Sequence, residues 1–286
     1  MKRFVLICGL TLLVALTAAT GASGVGKSRV AALQIGLQAK GLYAGTIDGV
    51  WGAGTERAVR RLQRQARIQV DGIAGRRTRQ ALGRYGRHRY GTRVLRTGNV
   101  GWDVSQTQFL LAWHGFPSGA LDGAFGPRTE GAVRRFQRWA RLGVDGAPGP
   151  STFRALRGSI PSTSLRFAWP LSLAPTDRFG PRGNRFHAGI DFPADHGARV
   201  DAAGRGQVIV AGWDDGGYGN LVVIRHRLGA TTWYAHLSSV SVSRGDSVVA
   251  GTRIGSVGAT GFATGPHLHF ELRVRGAAID PLTALG

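Results

Sequence analysis

Three short fragments near the carboxyl end carry the residue types that chemistry needs. His187-Ala188-Gly189-Ile190-Asp191 sets an imidazole four residues before a carboxylate. His267-Leu268-His269 repeats an imidazole at i and i+2, which puts both on one face if the segment is a strand. His236 follows Tyr234-Ala235. Two imidazoles on one strand face, with a distant His and a carboxylate, make a sound zinc set. A catalytic zinc takes about three protein ligands and keeps the next position for water. Such donors suit zinc or another borderline metal rather than calcium. One Asp and two His leave a divalent ion net positive, which helps it acidify a bound water. Spacing does not decide which His binds and which catalyses. Glu271 continues the i, i+2 series, in position to orient a ligand imidazole. His196 and His226 read as structural, and Asp195, Asp214 and Asp215 as loop carboxylates.

The elements that must position these residues are β-rich. Gln207–Ala211, Leu221–Ile224, Thr231–Tyr234 and Leu268–Val274 are short apolar or β-branched runs separated by Gly and Asp clusters. From Trp169 onward that spacing predicts an antiparallel β-domain.

The amino-terminal half is built differently. Asp48-Gly49-Val50-Trp51-Gly52-Ala53-Gly54-Thr55-Glu56 returns as Asp122-Gly123-Ala124-Phe125-Gly126-Pro127-Arg128-Thr129-Glu130. The same offset carries Ala58-Val59-Arg60-Arg61 onto Ala132-Val133-Arg134-Arg135, and Val70-Asp71-Gly72 onto Val144-Asp145-Gly146. Self-similarity at a fixed offset means a duplicated unit. Each copy reads as three short helices. Leu33, Leu37 and Leu42, and in the second copy Phe109 and Leu110, mark the first helix. Thr55 and Thr129 are expected as N-caps of the second, whose apolar face is Ala58, Val59, Leu62 and Ala66 at helical spacing. Trp51 and Phe125 are expected in the core rather than on a ligand.

Both copies resemble the peptidoglycan-binding repeat found at the ends of many wall hydrolases, through D-G-x-[WF]-G-x-x-T, the following A-V-x-x-[FL]-Q and the later V-D-G. In the β-rich part, Arg178-Phe179-Gly180-Pro181-Arg182, His187 to Phe192, Gly217-Tyr218-Gly219-Asn220, Tyr234-Ala235-His236-Leu237 and Thr264-Gly265-Pro266-His267-Leu268-His269-Phe270-Glu271 closely resemble the lysostaphin/LytM-type zinc metallopeptidases. Two features depart from that pattern: the loop from Arg182 to His187 is short, and Ala263 stands where Ser is frequent. The resemblance implies His187, Asp191 and His269 as ligands of one Zn2+ ion, with His267 and His236 as catalytic residues beside it. His267 would act as general base and His236 would stabilise the oxyanion, or the two roles exchange. It also implies a secreted, cell wall-associated endopeptidase acting on a stem-peptide crosslink or interpeptide bridge of peptidoglycan. The alternative is a catalytically inactive wall-bound activator of another hydrolase, although every expected ligand position is filled.

Charge and termini complete the expectation. Lys+Arg number 37 against 16 Asp+Glu, a formal net charge of +21, and nearly all the cations are Arg. Such a surface attracts polyanions, here anionic wall polymers rather than any specific nucleic acid. Lys2 and Arg3, the apolar run Phe4–Ala19 and the small residues after it have the order of a signal peptide over 1–22, leaving no membrane association once removed. Cys8, the single cysteine, falls within it, so no disulfide is expected. Gly21 to Ser28 fits G-x-x-x-x-G-K-[ST], but that pattern binds phosphate only between a strand and a helix of a nucleotide-binding fold, which nothing downstream supports. The expected organisation is repeat 1 over 27–85, repeat 2 over 96–157, a linker over 158–168 and the peptidase domain over 169–286. The fold class is thus two small all-α three-helix repeats followed by a mainly antiparallel all-β metallopeptidase domain.

Overall fold

The computed structural model describes residues 23–286. The signal segment expected over 1–22 lies outside the described residues, and no described helix is long and apolar enough to cross a membrane. The first repeat contributes α1 (Ser23–Ala39), α2 (Ala53–Gln65) and α3 (Arg76–Ala81). The second contributes α4 (Trp102–Trp113), α5 (Pro127–Trp139) and α6 (Pro150–Ala155). The phosphate-loop-like pattern runs, from Ser23 on, into the first turns of α1, so it is helix and not the loop that phosphate binding needs.

The conserved offset has a specific physical basis, a glutamine clamp on each Asp-Gly turn. The Gln34 amide donates to Asp48 Oδ1 (2.8 Å), and its Oε1 accepts from Gly49 N (2.9 Å). Gln108 does the same to Asp122 (2.9 Å) and Gly123 (2.8 Å). Within each repeat the device recurs: Gln63 with Asp71 and Gly72, and Gln137 with Asp145 and Gly146. The four glycines adopt φ between +71 and +75°, the left-handed region that a side chain disfavours. Thr55 and Thr129 serve these clamps, accepting from Gln34 and Gln108. They are not N-caps: α2 and α5 start two residues earlier, behind extended Gly52 and Gly126, and neither cap uses a side chain. Ala58, Val59 and Leu62 are buried as expected, but Gln63 takes the inward position and Ala66 is exposed. Phe125 is core at 1% exposure, whereas Trp51 is 43% exposed, because the segment ahead of α2 carries it outward. The two repeats share a core in which Ala31, Ile35 and Ile47 meet Phe109 and Leu121.

The β-domain opens with a hairpin of β1 (Gly180–Arg182) and β2 (Arg185–His187), a two-stranded sheet of its own. The main sheet has nine strands: β3 (Ile190–Pro193), β4 (Arg199–Asp201), β5 (Gly206–Asp214), β6 (Gly219–Arg225), β7 (Ala230–Val240), β8 (Ser247–Val248), β9 (Arg253–Val257), β10 (His267–Val274) and β11 (Ala277–Ile279). Its central order is β11-β10-β7-β6-β5-β8, with β3 also on β10, and β9 joining β7 to β4. Every ladder is antiparallel. Alternating residues such as Phe192, Val222, Ile224, Tyr234, Leu268 and Phe270 fill its core, each large apolar side chain contributing about 1.5–3 kcal/mol on burial. Leu165 and Phe167, expected in a linker, are buried in this same core, and Phe167 bridges to Leu285. The domain's packing therefore begins a few residues before Trp169, because two apolar side chains follow the Ser- and Pro-bearing stretch.

Candidate metal centre

Strand register brings the three distant fragments together. β3 runs antiparallel to β10 with Asp191 opposite His269, and β7 flanks β10 on its other side with Ala235 opposite His269. Gly189 permits this approach: a Cβ there would lie 2.3 Å from the Phe270 carbonyl oxygen and 3.0 Å from the His269 ring. The β1–β2 hairpin delivers His187 from the third direction.

The result is a cluster of His187, Asp191 and His269 whose donor atoms all lie within 4.8 Å of one another. His187 Nε2 is 3.1 Å from Asp191 Oδ1 and 3.0 Å from His269 Nδ1, which is itself 2.8 Å from Asp191 Oδ1. The outer nitrogens are committed elsewhere. His187 Nδ1 donates to the Arg178 carbonyl (3.0 Å) and His269 Nε2 to Glu271 Oε1 (3.0 Å). With those protons placed outward, the nitrogens facing inward carry lone pairs, and with the Asp191 oxygen they form three converging donors. Lone pairs so close need a shared cation, and this set of two imidazoles and one carboxylate fits zinc. The charge balance expresses the same demand. Burial lowers the His269 pKa, but Asp191 and Glu271 outweigh it and push it up to about 9. Burial also opposes ionisation of Asp191, and His187 and His269 outweigh it, holding the carboxyl well below its usual range.

The two remaining histidines line the open side. His267 Nδ1 donates to the Gly265 carbonyl (2.9 Å), which leaves Nε2 free, 4.0 Å from Asp191 Oδ1. His236 Nδ1 donates to the Thr260 carbonyl (2.8 Å), and its ring lies 4.8 Å from that of His267 and 5.8 Å from that of His269. Burial, with His267 and His269 nearby, lowers the His236 pKa and favours the neutral ring. His236 has φ +62°, and β7 gains one residue on β6 between Tyr234 and Leu237. Such a bulge re-aims a side chain, here from the sheet toward the site. All five sequence-predicted residues therefore meet at one place. His196 is exposed, while His226 is buried and bonded to the Arg205 carbonyl and Thr232.

Three contributors escape the sequence reading. Arg182 Nη2 donates to Asp191 Oδ2 (2.8 Å) and Asp177 Oδ2 (2.6 Å), occupying the carboxylate oxygen that faces away from the cluster. Tyr218 and Arg273 complete a buried network around Glu271. The Tyr218 hydroxyl donates to Glu271 Oε1 (2.8 Å), and Arg273 donates to Glu271 Oε2 (2.5 Å) and to the Tyr218 oxygen (2.8 Å). Burial disfavours the Glu271 carboxylate, but Arg273 and His269 dominate and keep it ionised. Arg182 and Tyr218 stand inside motifs quoted above, and Arg273 extends the His267, His269, Glu271 alternation by one more step, the one signal that could have found it.

Residues 185–281 match Peptidase family M23, and residues 26–82 and 101–156 each match the family described as Putative peptidoglycan binding domain. Over 99 residues the chain is 48% identical to DD-carboxypeptidase/endopeptidase Mpg of Neisseria meningitidis serogroup B, covering 35% of this chain and 23% of that protein. Lysostaphin of Staphylococcus simulans is 40% identical over 104 residues, 35% of this chain and 21% of that protein. The solved catalytic domain of lysostaphin from the same species is 34% identical at a TM-score of 0.34, covering 42% of this chain and 88% of that one.

Proposed function

Because this chain carries a Peptidase family M23 domain behind two peptidoglycan-binding domains, we propose that it is a secreted zinc-dependent endopeptidase. Its substrate is a peptide bond of peptidoglycan, in a stem-peptide crosslink or an interpeptide bridge, and its repeats hold the enzyme on the wall. The observation that carries the reading is the convergence of His187, Asp191 and His269 with their lone pairs inward and their protons fixed outward. His187, Asp191 and His269 would hold a zinc ion, which when bound would supply Lewis acidity to the site. His267, with Nδ1–H tied to Gly265 and Nε2 facing the cluster, accepts the proton of the attacking water as general base. His236, across from His267, is a neutral ring at rest and takes a solvent proton on Nε2 as negative charge develops, so that the imidazolium stabilises the oxyanion. The Nδ1–H bond to Thr260 keeps that ring oriented throughout.

The test uses purified protein on isolated wall sacculi, with and without chelator, followed by identification of the new amino termini. Release of peptide amines that chelator abolishes and zinc restores supports the proposal. His267→Ala is expected to retain zinc and lose at least about 100-fold in rate, the scale of a general base. A protein that binds walls yet takes up no zinc and releases no fragment is instead the non-catalytic activator.

A further inference from the structure

The β1–β2 hairpin supplies the metal cluster with His187, with Arg182 on Asp191, and through the adjoining Arg178 carbonyl with the anchor of His187 Nδ1. Yet it is a two-stranded sheet outside the nine-stranded one, and a lone hairpin is marginally stable. The β-domain holds its base, where Thr176 and Asp177 bond to Asp191 of β3 and Phe179 packs on the main core, and the repeats hold its tip and flank. At its tip, Gly183 O accepts from Ile47 N of the first repeat (2.9 Å), and Asn184 O accepts from Leu121 N of the second (2.7 Å). On its flank, Trp113 at the end of α4 packs edge-on against Phe186 (5.3 Å between centroids) and Phe179 (6.4 Å). Phe186 is buried, pairs with Phe179 at 5.0 Å, and belongs to none of the apolar clusters of the main sheet. Trp113 in turn packs on the core shared by the two repeats.

We propose that Trp113 is a positioning residue for the metal site: through Phe186 it holds the hairpin that presents His187 and Arg182, so the repeats are part of the centre's scaffold as well as its targeting device. The inference rests on the zinc reading above. It implies that the paired repeats and the β-domain bind metal as one unit.

The experiment compares full-length wild type with Trp113→Ala, Trp113→Phe, Phe186→Ala and the double Ala variant. Zinc affinity is measured by competition with a chromophoric chelator, and amide exchange of residues 182–187 is followed in the metal-free protein. Trp113→Ala is expected to weaken zinc about tenfold to about 100-fold, the range for lost outer support of a ligand, and to speed hairpin exchange. Trp113→Phe should restore both, since it keeps the ring contact and removes an indole Nε1–H that is buried without a partner. The double variant should be no worse than the weaker single one. If Trp113→Ala lowers the helical signal of the repeats, Phe186→Ala decides alone, because Phe186 lies outside the repeat cores. Wild-type affinity in the Ala variants, unchanged exchange, or additive losses in the double variant each overturn the inference. Wild type that binds no zinc overturns the proposed function instead, and the exchange measurement still judges the link from Trp113 to the hairpin.

Discussion

Glu271 is 1% exposed and is the hinge between the metal cluster and the protein beneath it. It takes the outward proton of His269 on one oxygen and the Arg273 guanidinium on the other, and Arg273 lies 3.8 Å over the Trp233 ring. Glu271→Gln keeps an acceptor but leaves Arg273 a half-buried cation without a counter-charge. The expected outcome is about tenfold to about 100-fold weaker zinc binding, read by chelator competition, together with a lower unfolding midpoint of the metal-free chain. Spacing alone singled out His187, Asp191, His236, His267 and His269 but did not divide them into roles, and a division needs the direction of each ring. That direction is set by partners such as the carbonyls of Arg178, Gly265 and Thr260, which any residue supplies and no sequence pattern marks. Tyr218 was visible as part of a motif, but its contact with Glu271 arises only when the segment before β6 folds over β10.

Among the elements, the Asp-Gly turns and the closest strand crossing have the sharpest requirements. Gln137 is 1% exposed and makes four hydrogen bonds across its turn, to Asp145 side chain and backbone, Gly146 and Thr152. Gln137→Leu strands buried donors and acceptors, and a single such orphan costs about 1–3 kcal/mol. Denaturant unfolding of the full chain should show at least that loss, with metal affinity little changed. At Gly189 a methyl group would collide with the Phe270 carbonyl. Gly189→Ala should therefore cost more than the about 1 kcal/mol typical of point substitutions and weaken zinc binding as well, because β3 must retreat from β10. The periodicity of Ala58, Val59 and Leu62 made the helices legible. It misassigned Thr55 because a Thr ahead of an apolar run suits an N-cap equally well, and only the register of Gln34 reveals the other use. The sheet was legible as strands but not as an order, since β9 and β3 attach to partners far away in the chain.

For the molecule as a whole, the cationic surface is the dominant long-range property. Six arginines (Arg29, Arg76, Arg79, Arg87, Arg89 and Arg157) border one groove beside the exposed Trp51, and no acidic side chain lines it. Attachment to walls should thus be strongly salt-dependent. Between about 0.1 M and about 1 M salt the screening length falls from about 10 to about 3 Å, and co-sedimentation with sacculi should drop accordingly. Retention unaffected by salt would mean that the repeats grip neutral groups instead.

The seam where Phe167 meets the last residues has a mechanical meaning. Phe167 N donates to Ala284 O (2.9 Å), and Gly286 N returns a bond to Phe167 O (3.1 Å), so the strand entering the β-domain and the one leaving it run side by side. Tension applied between the repeats and the carboxyl end would load these two bonds, along with the contacts that dock the helices, before it reached the long central strands. The same adjacency allows the order of the β-domain to be rewired. A few glycines joining Leu285 to Leu165, with new ends opened at the exposed Asp214–Gly216 turn, should give a chain that still closes the sheet.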